Sequence, residues 1–305
     1  MEETSYIWMD GKLIDWKEAK VHVLTHSLHY GSAVFEGIRF YTTAKGPAVF
    51  RLKEHIERLF HSASSFRMDV PFSKEEIEDA IAETIKANGL EEGYIRPIIF
   101  FGYGTMGVSP KGAPVKVAIA VWPWGAYLGE KPVKVKVSSF VKTHPKSTDP
   151  YAKITGNYQN SLLAGEEVKK QGYDEALLLD FQGNIAEGPG ENIFIVKRGK
   201  LLTPRLGNVL PGITRDTIMT IAKDQGIAVE ERDLRVEDVY EADEAFFCGT
   251  AAEVTAIASV DNKKIGDAPG EITKKLREMY LNIVRGKTEK YLNWLRFVDY
   301  YERSA

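Results

Sequence analysis

The amino-acid sequence predicts a mixed α/β protein of the α+β kind, folded as two domains. Three observations carry that expectation: runs of β-branched residues come in groups, helical periodicity is interspersed without regular strand-helix alternation, and 305 residues exceed what one core usually organises. The break falls where Pro123, Gly125 and Gly129 punctuate the chain before a new strand series. The expected division is a small N-terminal domain over 1–121, an interdomain loop over 122–131 and a large C-terminal domain over 132–305.

The strands Tyr6 to Met9 and Leu13 to Trp16 flank an Asp10-Gly11 turn dipeptide and open the fold as a hairpin. A second extended pair, Val34 to Tyr41 and Ala48 to Arg51, surrounds the Gly46-Pro47 break, and helical periodicity follows from Leu52 toward Phe66. Ser73 and Glu76 form a capping box for a helix with Ile77, Ile81 and Ile85 on one face, which Asn88-Gly89 stops. Strands are expected at Tyr94 to Phe101, Val115 to Val121 and Val133 to Val141, all rich in β-branched residues. A helix starts near Tyr158 and ends before Gly172; the strands Glu175 to Asp180, Asn192 to Val196 and Lys200 to Leu202 follow. Helices recur at Thr214 to Asp224 and Glu271 to Val284, with short strands near Ile227 and Ala245. The aromatic tail, with Tyr291, Trp294, Phe297, Tyr300 and Tyr301, reads as helix or subunit packing.

Forty basic against forty-three acidic side chains leave a formal charge of -3, which gives no pull toward nucleic acid or an anionic membrane. The single cysteine, Cys248, forms no internal disulfide and suits a reducing, cytoplasmic setting. Met1 to Asp10 lacks the basic and apolar regions of a signal peptide. His22, His26 and His29 lie close together, but their segment reads as a strand end running into a loop, without the spacing of a helical zinc motif; no metal is expected.

Four segments concentrate glycines, hydroxyls and isolated charges. Tyr151 to Tyr158 places Lys153 between an extended region and a helix start, where a desolvated amine sheds its proton and turns nucleophilic. Taken alone, a solvated lysine is the better reading, because the chain has many lysines and nothing in the spacing singles out Lys153. Gly183 to Asn192 sets Glu187 among glycines: a carboxylate fit to keep a heteroaromatic nitrogen protonated, or a plain hairpin acid. Leu210 to Arg215 and Cys248 to Ala252 each pair a glycine with a threonine, as an anion cradle or an ordinary cap does.

Taken together in order, these segments resemble the branched-chain amino-acid aminotransferases of the fold-type IV, class IV pyridoxal-phosphate enzymes. The landmarks are His26-Ser-Leu-His-Tyr-Gly-Ser-Ala-Val-Phe-Glu-Gly37, Tyr94-Ile-Arg-Pro97, Met106-Gly-Val108, Gly156-Asn-Tyr158, Glu187 to Asn192, Pro211 to Asp216 and Gly249-Thr-Ala251. The resemblance implies a two-domain fold with the active site between the domains, pyridoxal 5'-phosphate as cofactor, and transamination between leucine, isoleucine or valine and 2-oxoglutarate. By the same resemblance Lys153 carries the cofactor and shuttles a proton between the substrate Cα and the cofactor's C4′. Glu187 partners the pyridine nitrogen and Tyr158 the ring oxygen, while Arg58, Ile213, Thr214 and Thr250 hold the phosphate. Phe35, Trp124 and Tyr127 line an apolar wall; Arg96 and Tyr30 receive the distal carboxylate of glutamate; Thr250, Ala251 and Tyr94 hold the α-carboxylate. Val108 and Tyr30 reach a neighbouring subunit's site, so the implied assembly is a homodimer, or a higher homo-oligomer such as a hexamer. Ile154 and Thr155 depart from the small residues more usual after the lysine, which bears on pocket shape. A D-amino-acid aminotransferase or an aminodeoxychorismate lyase shares the lysine and glutamate logic. A scaffold that lost the reaction is the reading from another class.

Overall fold

The structure, a computed structural model, describes residues 2–125, 128 and 131–299. The chain divides into two compact units: the first takes residues 1–125, 152–156 and 282–305, the second 126–151 and 157–281. The division differs from the sequence expectation in three places, the first being that residues 122–125, expected in the interdomain loop, fall in the first unit. The short Lys153 segment and the last stretch of chain both join the first unit, because each pairs with its strands.

The first unit contains β1 (Tyr6–Met9), β2 (Lys12–Asp15), α1 (His26–Tyr30), β3 (Ala33–Phe35), β4 (Ile38–Thr43), β5 (Gly46–Phe50), α2 (Leu52–Ser65), α3 (Lys74–Ala87), β6 (Gly93–Phe101) and β7 (Val115–Trp122). Its antiparallel sheet runs β5-β4-β6-β7-β1-β2, with β3 pairing β6 and the late strand Leu295–Phe297 added beside β5. That addition explains part of the aromatic tail: Tyr291 is buried and stacks on Trp294 at 4.5 Å. Tyr300 and Tyr301 lie outside the described residues. Both long helices lay an apolar stripe on the sheet, with Ile56, Leu59, Ile77, Ile81 and Ile85 in one core with Ile95, Ile99, Val117 and Ile119. The capping box forms as the sequence indicates, with Ser73 Oγ accepting from the Glu76 N–H at 3.1 Å and Glu76 Oε2 from the Ser73 N–H at 2.7 Å.

Two sequence expectations fail here for local reasons. The extended run from Val34 to Tyr41 is two strands, although both keep one register against β6, with Phe35 opposite Ile98 and Ile38 opposite Ile95. At the gap the Glu36 N–H donates to the Pro97 carbonyl at 3.0 Å, but proline has no N–H to return the bond, so the ladder lapses. The histidine segment, expected as strand end and loop, contains a helical turn over His26–Tyr30, closed by Gly31 at φ 60° and its N–H to Ser27 O. Ser27 stabilises the turn by donating to Ser32 O at 2.7 Å and accepting from the Phe101 N–H at 3.0 Å.

The second unit contains β8 (Val133–Val137), α4 (Tyr158–Lys169), β9 (Glu175–Leu177), β10 (Asn192–Lys197), β11 (Lys200–Pro204), α5 (Ile213–Asp224), β12 (Val229–Arg232), α6 (Val236–Tyr240), β13 (Glu244–Gly249), β14 (Glu253–Val260), β15 (Lys263–Lys264) and most of α7 (Glu271–Val284). Its sheet runs β12-β11-β10-β13-β14-β8-β9 and mixes pairings: β11 with β12, β14 with β8 and β8 with β9 are parallel, the others antiparallel. β8 is shorter than expected because Ser138 and Ser139 leave the ladder to donate their hydroxyls to Glu167 on α4. β9 also stops early; Asp180 then accepts the Gln182 and Asn184 N–H groups at 2.8 Å each and turns the chain. Among the described residues, no helix is long and apolar enough to cross a membrane.

Candidate active site

Within the first unit the Lys153 segment lies along β3. Ile154 bridges Val34, the Phe35 N–H donates to Lys153 O at 3.1 Å, and the Lys153 N–H donates to Ser62 Oγ at 2.9 Å. Ser62, fully buried on α2, donates its own proton to Arg58 O at 2.8 Å. The two residues that depart from the usual small pair have structural work. Ile154 is buried in the core, and the Thr155 hydroxyl lies 3.0 Å from Gly31 O and 3.1 Å from Ala33 O.

Gly31 and Gly156 meet here. The Gly156 N–H donates to Gly31 O at 3.2 Å, and a Cβ on Gly31 would lie 2.8 Å from the Gly156 Cα. Gly31→Ala combines that clash with a left-handed backbone and should destabilise the protein by about 2 kcal/mol or more in urea denaturation. A change below about 0.5 kcal/mol, the scale of an innocuous surface substitution, would remove the close approach as an explanation.

Lys153 is partly buried as a residue, and its amine sits 4.8 Å from the Phe35 ring centroid. Its pKa is lowered from 10.5 to about 8; burial is the main cause, the Glu36 charge opposes it, and Arg58 and Arg96 assist. The Arg96 guanidinium also stands 4.8 Å from Phe35, with Tyr94 at 5.5 Å and Trp122 at 6.0 Å, and its Nε makes no hydrogen bond. The Tyr94 ring lies tilted against Trp124 at 4.9 Å, and the Trp124 carbonyl accepts from Arg39 Nη2 at 3.2 Å. The Tyr94 hydroxyl occupies the place a Cβ would take on Gly37, so only glycine fits there. Tyr30 is exposed and donates to Met106 O at 2.8 Å, and Val108 is 80% exposed on the same loop as Met106. Tyr127 lies outside the described residues.

Arg58 is found in a cluster that sequence reasoning missed. Glu36, fully buried, accepts from Arg58 Nε at 2.6 Å, Arg58 Nη2 at 2.9 Å and His55 Nδ1 at 2.8 Å. Burial would raise the Glu36 pKa, but Arg58 and His55 together hold it well below the usual carboxylate range. Burial depresses the His55 pKa, and a carboxylate can only accept, so the neutral imidazole carries its proton on Nδ1. The histidines of the early segment do other work: His26 Nδ1 lies 2.8 Å from Ser32 Oγ, His29 Nε2 lies 2.9 Å from Val23 O, and His22 Nδ1 accepts from the Leu24 N–H at 3.1 Å.

Within the second unit three loops converge. Glu187 Oε2 accepts from the Leu210 N–H at 3.0 Å and Asn192 Nδ2 at 3.2 Å, and the Asn192 side chain lies against Gly212. Gly212 caps α5 without a side-chain hydrogen bond, which leaves Ile213 and Thr214 at a helix start with no side-chain cap. Thr250 and Ala251 form the turn between β13 and β14, where Gly249 packs against Gly190 O. Glu187 Oε1 pairs with Lys142 Nζ at 2.5 Å. Burial alone would lower the Lys142 pKa; the Glu187 charge and hydrogen bond outweigh it, Tyr158 adds to them, and the net shift is upward. Lys142 is thus the cation paired with Glu187, and nothing in its sequence surroundings distinguishes it. Among the described residues, no group of three or more His, Cys, Asp or Glu side chains could hold a metal ion.

The sequence profile of the family described as Amino-transferase class IV matches residues 33–260. A Pseudomonas aeruginosa protein named branched-chain-amino-acid aminotransferase is 48% identical over 96% of this chain and 97% of its own length. An Escherichia coli (strain K12) protein of the same name is 46% identical over 98% of this chain and 99% of its own. The crystal structure of a branched-chain amino acid aminotransferase from Thermoproteus uzoniensis with norvaline superposes with a TM-score of 0.94 at 45% identity, covering 97% of this chain and 100% of that one. A further crystal structure of such an aminotransferase, complexed with N-(5'-phosphopyridoxyl)-L-glutamate, gives a TM-score of 0.95 at 45% identity over 98% of this chain and 100% of that one.

Proposed function

The chain belongs to the class IV aminotransferases, among the branched-chain-amino-acid aminotransferases, and from that premise we propose how its residues carry out transamination between leucine, isoleucine or valine and 2-oxoglutarate. The products are branched-chain 2-oxo acids and L-glutamate.

The residues fit pyridoxal 5'-phosphate as cofactor. Its aldehyde needs an amine that is partly unprotonated near neutral pH, its ring nitrogen a buried carboxylate, and its phosphate a guanidinium and free backbone N–H groups. Lys153, Glu187, Arg58 and the uncapped start of α5 have those properties. When bound, the group supplies a carbonyl that accepts the amino group and a ring that accepts electrons. Lys153 would hold it covalently, and its amine would take the proton from the substrate Cα. Arg58, Ile213, Thr214 and Thr250 would hold the phosphate, Glu187 would keep the ring nitrogen protonated, and Tyr158 would donate to the ring oxygen.

One observation carries the substrate reading: the same Phe35 ring supports the Lys153 amine and the Arg96 guanidinium, each at 4.8 Å. An alkyl side chain therefore meets aromatic surface beside a cation able to bind a carboxylate, as alternating leucine and glutamate require. In this reading Phe35, Trp124 and Tyr127 form the wall, Arg96 and Tyr30 receive the distal carboxylate, and Tyr94, Thr250 and Ala251 hold the α-carboxylate. Exposed apolar residues on the first unit, among them Val23, Leu28, Tyr30, Tyr103 and Val108, support a homodimer in which Tyr30 and Val108 serve the neighbouring subunit, and a hexamer is the larger assembly in view. The single cysteine, buried and free, supports a cytoplasmic setting.

Half-reactions followed one at a time by cofactor absorbance test the assignment. L-leucine, L-isoleucine and L-valine should each convert the loaded enzyme, and 2-oxoglutarate should reverse the conversion; a clear preference for D-alanine overturns it. In the same assay Arg96→Ala should slow the glutamate half-reaction at least about tenfold more than the leucine one, the worth of one charged hydrogen bond. Equal losses would give Arg96 a structural role.

A further inference from the structure

We propose that Glu36 is a positioning residue for the cofactor phosphate: its buried carboxylate grips one edge of the Arg58 guanidinium and so sets the plane in which Arg58 meets that phosphate. The proposal rests on the reading of Arg58 as a phosphate ligand.

The grip is side-on and bidentate, with Arg58 Nε on Oε1 at 2.6 Å and Nη2 on Oε2 at 2.9 Å. Two parallel bonds fix the plane of a guanidinium as well as its distance. The clasp is itself held: Glu36 Oε2 lies 2.8 Å from His55 Nδ1 and accepts from the Gly37 N–H at 3.3 Å. His55 and Arg58 occupy the same helix, α2, one turn apart. Stability alone gives little reason for such a cluster, because a buried ion pair is commonly matched or bettered by apolar residues of similar volume. Orientation gives a reason. Arginine has several rotatable bonds, and an arginine held in advance loses less freedom when its ligand arrives.

The test compares two ligands that differ only in the phosphate. Apoenzyme of the wild type, Glu36→Gln, Glu36→Asp and Arg58→Ala is titrated with pyridoxal 5'-phosphate and with pyridoxal, reading Kd from quenching of tryptophan fluorescence, with circular dichroism to confirm folding. Glu36→Gln should shrink the preference for the phosphorylated ligand by about tenfold or more, while pyridoxal affinity changes less than about threefold. Equal weakening toward both ligands, or an unchanged preference, overturns the proposal. Should Glu36→Gln fail to fold, Glu36→Asp decides: it keeps the charge but shortens the reach, and a preserved preference overturns the proposal. Arg58→Ala separates the two levels of the argument. If it leaves the preference intact, the phosphate reading of Arg58 fails and takes the proposal with it; if it removes the preference and Glu36→Gln does not, only the proposal fails.

Discussion

Replacing Lys153 by alanine should lower turnover by about ten-thousand-fold or more, since in the proposed function one side chain supplies both the covalent attachment and the proton transfer at Cα. The absorbance of the lysine-bound cofactor should vanish with it; a variant that keeps more than about a hundredth of wild-type turnover assigns the chemistry to another residue. Stability should move the opposite way. The folded amine titrates at about 8 against 10.5 for an ordinary lysine, so between those values the unfolded chain holds a proton that the folded one has released, and stability rises with pH across the interval. Below pH 8 the penalty is present in full, on the order of 3 kcal/mol at about 1.4 kcal/mol per pH unit. Lys153→Met, which keeps the bulk and removes the charge, should therefore make the apoprotein more stable than wild type at pH 7, with the gain gone above pH 10.5. A gain independent of pH would mean that packing, not charge, is responsible. The same titration makes cofactor uptake by the wild-type apoenzyme accelerate with pH and level off above about 8, because only the free base attacks an aldehyde.

The second large effect concerns Glu187→Gln. An amide cannot keep a pyridine nitrogen protonated, and turnover should fall by about a hundred- to a thousandfold, the usual loss when one preorganised electrostatic group is removed. The apoprotein should also lose about 3 kcal/mol in urea denaturation at pH 7, because the Lys142 ammonium, 2.5 Å from Glu187 in the native protein, keeps its charge and loses its partner. Adding Lys142→Met to Glu187→Gln should recover most of that stability without recovering turnover. Turnover within about threefold of wild type in Glu187→Gln would remove the residue from the chemistry.

The pieces legible in the sequence were those whose signal is local. The capping box, the helix after Leu52 and the opening hairpin each depend on residues a few positions apart, and each forms. Lys153 is different: its amine is shaped by Phe35, Glu36, Arg58 and Arg96, all far away in the chain, so only the ordered set of family landmarks marked it. Glu36 did leave a trace. A charged residue followed by glycine interrupts the apolar run Ala33-Val34-Phe35, and His55, Arg58 and Ser62 are polar on a helix face otherwise buried. Lys142 and Asn192 left none, because their importance lies entirely in meeting Glu187.

Helix α2 presents His55, Arg58 and Ser62 along one side: His55 and Arg58 donate to the buried Glu36, and Ser62 accepts from the main chain of Lys153. A single stiff rod thereby acts as the gauge for all three separations. A substitution that displaces the helix would therefore move all three together.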